Sequence, residues 1–142
     1  MLPQLLLKVL QGFSVGSEER HGHGVYRRVF AESATPFERL STLFIGALRL
    51  ARQGRSAVLE GNRALASQRA ERVSALARRL DVCLDHPTAP ELCQNLSRLY
   101  QHIVARLAMD DIPIDPTGFD EVIAILEKLW QGFVEAEQRE QT

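Results

Sequence analysis

From Phe37 onward, apolar and small residues recur at intervals of three and four. Phe37, Leu40, Phe44, Ala47, Leu48, Ala51 and Val58 fall on one helical face, and Leu43, Leu50 and Ala57 form a second stripe beside it. Thr35-Pro36-Phe37-Glu38 has the spacing of a capping box with proline in the first turn, and Gly61 marks a stop. Asn62 is placed to cap a second helix carrying Leu65, Ala66, Ala70, Val73, Leu76, Ala77, Leu80 and Leu84, which ends at His86-Pro87. Thr88-Ala89-Pro90-Glu91 repeats the capping-box spacing. A third helix follows with Leu92, Leu96, Leu99, Tyr100, Ile103, Val104 and Leu107. Asp115 caps and Pro116 opens a fourth, with Phe119, Val122, Ile123, Leu126, Leu129, Trp130 and Phe133. Nothing alternates with period two, so no strand is expected. Long helices joined by short connections make antiparallel neighbours. The predicted fold is all-α, an antiparallel up-down four-helix bundle.

The N-terminal residues fall outside that repeat. Met1 to Leu10 is rich in leucine, yet it lacks the basic start and small-residue cleavage site of a signal peptide. It is also far too short to span a membrane. It reads as an additional short helix seeking a groove. Gly12, Ser14, Gly16, Ser17, Gly22 and Gly24 mark a linker after it. The expected organisation is therefore an apolar segment and linker over 1–24, a bundle over 25–134 and a polar tail over 135–142.

Composition narrows the function classes. Of the 142 residues 45 % are apolar and 25 % charged, with a net charge of -1, so no global field draws the chain to nucleic acid or membrane. The charges are segregated even so. Arg49, Arg52, Arg55, Arg63, Arg69, Arg72, Arg78 and Arg79 face only Glu60 and Glu71 over 49–79, while the last third is acidic. No aromatic residues interleave with these arginines, which argues against stacking on nucleic acid. They read as solvated faces within one bundle, or as a docking face for an acidic partner. Cys83 and Cys93 give neither a disulfide framework nor a paired motif and suit a reducing, cytoplasmic compartment.

No catalytic constellation emerges. The linker glycines follow no strand, so they make no phosphate loop. His21 and His23 stand two apart with no further ligand near them, a pattern that fits a polar loop better than a metal site. His86 and His102 are single, and Asp110-Asp111 reads as a solvated helix end. A di-metal bundle needs Glu-x-x-His on facing helices, and the expected bundle helices carry none. The expectation is a binding protein without cofactor or metal, not an enzyme.

The ordered spacing from Tyr26 to Phe133 resembles the flagellin export chaperones, the FliS family. Tyr26, then Ala34-Thr35-Pro36, then Leu43-Phe44-Ile45-Gly46 stand at the spacing of that family's N-terminal signature. Leu80 and Leu84, then Leu99, Tyr100 and Leu107 with Arg106, match its later elements. The chain departs at Arg39, Ser41 and Thr42, where the family is usually apolar, and at Phe44, where it has tyrosine.

This resemblance implies a cytoplasmic chaperone that holds the disordered C-terminal segment of flagellin. Such a chaperone prevents premature polymerisation and supports export by the flagellar type III system, with the export gate as a further partner. It implies no nucleic acid, no membrane insertion, and a monomer or weak homodimer. The alternative is a structural or oligomeric helical module with a different client. The residues expected to meet the client are Tyr26, Leu43, Phe44, Leu50, Ala57, Leu99, Tyr100, Ile103 and Leu107. Residues Met1 to Tyr26 are expected to fold over the same groove when no client is bound.

Overall fold

The computed structural model describes residues 2–14, 22–26, 28, 35–108 and 115–141. In chain order these form α1 (Leu2–Ser14), a 3-10 turn (Gly22–Tyr26), α2 (Pro36–Leu59), α3 (Arg63–Val82), α4 (Pro90–Leu107) and α5 (Thr117–Gln141). No strand occurs among the described residues. The architecture is the predicted bundle of four long helices with one short N-terminal helix beside it.

Contacts close α2, α3, α4 and α5 into a ring, each packed on the next and α5 back on α2. The core they enclose holds Leu40, Phe44, Leu80, Leu96, Leu99, Tyr100, Ile103, Phe119, Ile125 and Phe133, all essentially inaccessible. These positions follow the helical repeat, so each helix buries one stripe and leaves its charges outside. No described helix is long and apolar enough to cross a membrane.

Local signals hold at some ends and fail at others. Asn62 accepts a hydrogen bond from the Leu65 amide at 3.1 Å, and Gly61 takes φ +76°, where a side chain would be strained. Asp115 accepts from the Thr117 hydroxyl and from the Thr117 amide at 2.9 Å, and those hydrogen bonds hold its carboxyl below its ordinary pKa. Thr35 occupies the cap position of α2, but its hydroxyl makes no capping bond. The cap residue of α4 is Ala89, not Thr88, whose hydroxyl donates to Asp85, 2.8 Å away. Gly12, read as the start of the linker, lies inside α1. Residues 135–141, read as a tail, continue α5 and bury Ala136.

Two glycines set how closely elements approach. A Cβ on Gly54 of α2 would stand 2.3 Å from the Phe119 ring of α5. A Cβ on Gly132 of α5 would stand 2.5 Å from the Phe13 ring of α1. The absence of side chains at these two places lets aromatic rings lie directly on helix backbone.

Candidate functional site

The N-terminal residues form a second layer on the bundle. α1 is amphipathic: Val9 and Phe13 are buried, Leu5, Leu6 and Leu10 are half-buried against the core, and Leu7 points to solvent. It packs on α4 and α5. Phe13 meets Phe133 edge-on at 4.7 Å, and its carbonyl accepts from the Arg139 guanidinium. That bond ties the last turns of α5 to the end of α1. Together with the burial of Ala136, it explains why a polar-looking segment stays helical.

The 3-10 turn brings Val25 and Tyr26 into the interior. The Tyr26 hydroxyl lies 2.6 Å from that of Tyr100 on α4, and both side chains are fully buried. Burial pushes both phenols well above the ordinary tyrosine pKa, so each stays protonated and able to donate. The Val25 carbonyl accepts from the Asp85 amide at 2.7 Å, and Arg28 pairs with the Asp85 carboxylate at 3.5 Å. The turn is thus fixed both to the connection between α3 and α4 and to the interior of α4.

Aromatic rings link this layer to the bundle. Tyr26 and Phe13 both approach Phe133, which meets Phe44 of α2 at 5.3 Å. Phe44 stacks on Trp130 at 5.7 Å, and Trp130 on Phe37 at 5.4 Å. Removing the N-terminal layer would therefore expose the Tyr100 and Phe133 side of α4 and α5, a wall of aromatic and aliphatic groups.

The nine residues expected to meet a client lie as follows. Tyr26, Phe44, Ala57, Leu99, Tyr100, Ile103 and Leu107 are buried in the free chain, and Leu43 and Leu50 are half-buried against the core. Tyr26, Tyr100 and Phe44 converge around Phe133. Leu43, Leu50 and Ala57 lie on a separate flank of α2. The exposed apolar residue at the middle of that helix is Ile45, 48 % accessible. Sequence reading passed over Phe13, Gly132 and Arg139. A glycine inside a strongly periodic helix costs about 1 kcal/mol relative to alanine, and this was the one signal available for Gly132.

Among the described residues no group of three His, Cys, Asp or Glu side chains is placed to hold a metal. His21 lies outside the described residues, as do Asp110 and Asp111. His102 shares Glu121 with Arg106, at 3.1 and 2.9 Å, which joins α4 to α5. Cys93 is buried and near the Asp85 carboxylate, and its thiol is pushed up to about 11.

Residues 21–140 match the family model described as flagellar protein FliS. The flagellar secretion chaperone FliS of Vibrio cholerae serotype O1 is 26 % identical over 108 residues, covering 73 % of this chain and 79 % of that protein. The match takes in the 3-10 turn and all four long helices but not α1. With the family spanning most of the chain, this protein is a divergent member of the FliS family of flagellar chaperones.

Proposed function

We propose that this chain holds the disordered C-terminal segment of flagellin in the cytoplasm, blocks its premature polymerisation and delivers it to the flagellar type III export gate. The observation that carries the reading is the N-terminal layer. A short helix and a single 3-10 turn, not one of the bundle helices, cover an aromatic wall on α4 and α5. A client rich in short amphipathic helices gains by burying apolar faces on such a wall and loses by ordering its chain. Within this reading Phe44, Tyr100, Leu99, Ile103 and Leu107 belong to the wall or its support, Tyr26 is the contact by which the N-terminal layer holds Tyr100 until the client takes its place, and Leu43, Leu50 and Ala57 extend the client's path along α2. The N-terminal layer and the client then compete for one surface.

The test uses a flagellin C-terminal peptide and calorimetry. The full chain is expected to bind it one to one. A chain starting at Val25 should bind more tightly; unchanged or weaker affinity refutes the competition. Leu43→Asp with Leu50→Asp should abolish binding while the circular dichroism spectrum stays helical. Loss of the fold in that variant assigns both leucines to the core and removes them from the client surface. Absence of any complex with the full or the truncated chain refutes flagellin as client.

A further inference from the structure

The arginines of α2 and α3 leave a charge unanswered within the molecule. Arg52 pairs with Glu127 at 2.8 Å, and Arg55 pairs with Asp120, so two of them are neutralised by α5. Arg69 donates to the Gln53 and Gln68 side-chain oxygens, which carry no charge. Arg49, Arg63, Arg72, Arg78 and Arg79 are exposed, and none has a carboxylate partner among the described residues. Clustered like charges repel one another and weaken the compact state unless something opposite answers them.

Part of this charge borders a groove between α2 and α3. Ile45, Arg49, Arg52, Gln53, Leu65 and Arg69 line it, with Glu60 at one end. Its apolar points are Ile45, half exposed, and Leu65, half-buried. From Ile45 to Glu60 the α2 side runs about 22 Å at 1.5 Å per residue, the length of roughly four helical turns. α1 packs on α4 and α5, and neither of those helices lines this groove.

We infer that the α2–α3 groove docks an acidic amphipathic helix of a partner protein. Two apolar side chains of that helix would rest on Ile45 and Leu65, and carboxylates beside them would meet Arg49 and Arg69. Arginine suits this task because its planar fork takes a carboxylate by two parallel hydrogen bonds. The groove length selects a short helix, and the unanswered charge selects an acidic one. The inference does not rest on flagellin as client, because it stands on the arginine chemistry of this groove; of the residues on the proposed client path, Ala57 also lines it.

The probe is a fluorescein-labelled helical peptide of about fourteen residues, with leucines spaced to face the groove and glutamates flanking them. A second peptide carries glutamine in place of every glutamate. Anisotropy titrations with the full chain should show the glutamate peptide binding about tenfold more tightly, with the preference fading at high salt. Arg49→Glu with Arg69→Glu should weaken binding about tenfold or more, whereas the exposed pair Arg78→Glu with Arg98→Glu, equal in charge but outside the groove, should change it less than about threefold. Circular dichroism checks the fold of each variant. Should the groove variant unfold, the glutamate-to-glutamine comparison on the native chain decides. Equal losses in both variants, equal affinity for both peptides, or tighter binding of a single-stranded oligonucleotide with the same arginine dependence overturns the inference. So does concentration-dependent self-association that disappears with the groove variant.

Discussion

Replacing Tyr26 with phenylalanine takes one oxygen out of the interior and strands another. The Tyr26 and Tyr100 hydroxyls lie 2.6 Å apart with no solvent access, and Tyr100 has no other hydrogen-bond partner among the described residues. A buried hydroxyl left unmatched costs about 1–3 kcal/mol, more than the net worth of the bond it lost. Tyr26→Phe should therefore lower stability by about that amount, and a chain of this size should lose roughly 2–4 °C of melting temperature per kcal/mol. Tyr100→Phe removes the partner instead and should also destabilise. The double variant leaves neither oxygen behind and keeps both rings, so its cost should fall short of the sum of the singles by about 0.5–3 kcal/mol. Urea unfolding followed by circular dichroism measures this, provided the denaturant slope is unchanged across the four proteins. Additive costs, or a silent Tyr26→Phe, would refute the pairing as what fastens the N-terminal layer to α4. The same variant bears on function. Weakening closure by 1–2 kcal/mol raises the open population about 5–30-fold while it remains minor, and client affinity should rise with it.

Three further outcomes follow from the packing and the buried acids. Gly54→Ala would press a methyl into the Phe119 ring, and overpacking of about 1–3 kcal/mol should outweigh the gain of roughly 1 kcal/mol in helix propensity; an unchanged urea midpoint would show that the ring has room to move. Gly132→Ala should instead displace Phe13, and hydrogen exchange should quicken across α1 while the four long helices keep their protection. For pH, Cys93, Tyr26 and Tyr100 all hold their protons more tightly folded than unfolded. Between about 9, where the unfolded thiol ionises, and about 11 for the folded Cys93, the native state binds more protons, so stability falls as pH rises. The tyrosines extend that loss upward from their unfolded pKa of about 10. A urea midpoint that stays flat from neutral pH through this range would contradict the burial of these groups.

The periodic stripes and the breaks between them were legible because they are local properties of a few turns. The end of α5 was not, since what keeps residues 135–141 helical is Arg139 reaching Phe13, a contact across 126 residues. The capping signals at Thr35 and Thr88 misled because a capping bond depends on where the fold aims the hydroxyl oxygen, and the Thr88 hydroxyl is turned to the Asp85 carboxylate. Tyr26 and Tyr100 both stand among the residues expected to meet a client, but only the fold shows that they touch. Leu43 and Leu50 show the limit of reading a helix alone. Two apolar stripes can be counted from sequence, while the share of each that a neighbour covers depends on the packing of α2 within the bundle.

The attachment of the N-terminal layer has a consequence for how the chaperone would work. Because α1 and the 3-10 turn belong to the same chain as the wall they cover, they meet it in an intramolecular step, at an effective concentration above that of a free segment. A client segment with the same intrinsic affinity would lose this contest at cellular concentrations. The client must therefore bury more apolar surface than Val9, Phe13, Val25 and Tyr26 do together, or reach contacts beyond the wall. The path along α2 past Leu43 and Leu50 offers such contacts, because both are only half-buried against the core. Short client fragments that reach only the Tyr100 and Phe133 wall should then fail to displace the layer, and longer ones that also run along α2 should succeed. Truncation at Val25 should benefit the short fragments most. If truncation strengthens short and long fragments by the same factor, both reach their full set of contacts only in the open chain, and the half-covered flank of α2 contributes nothing to opening it.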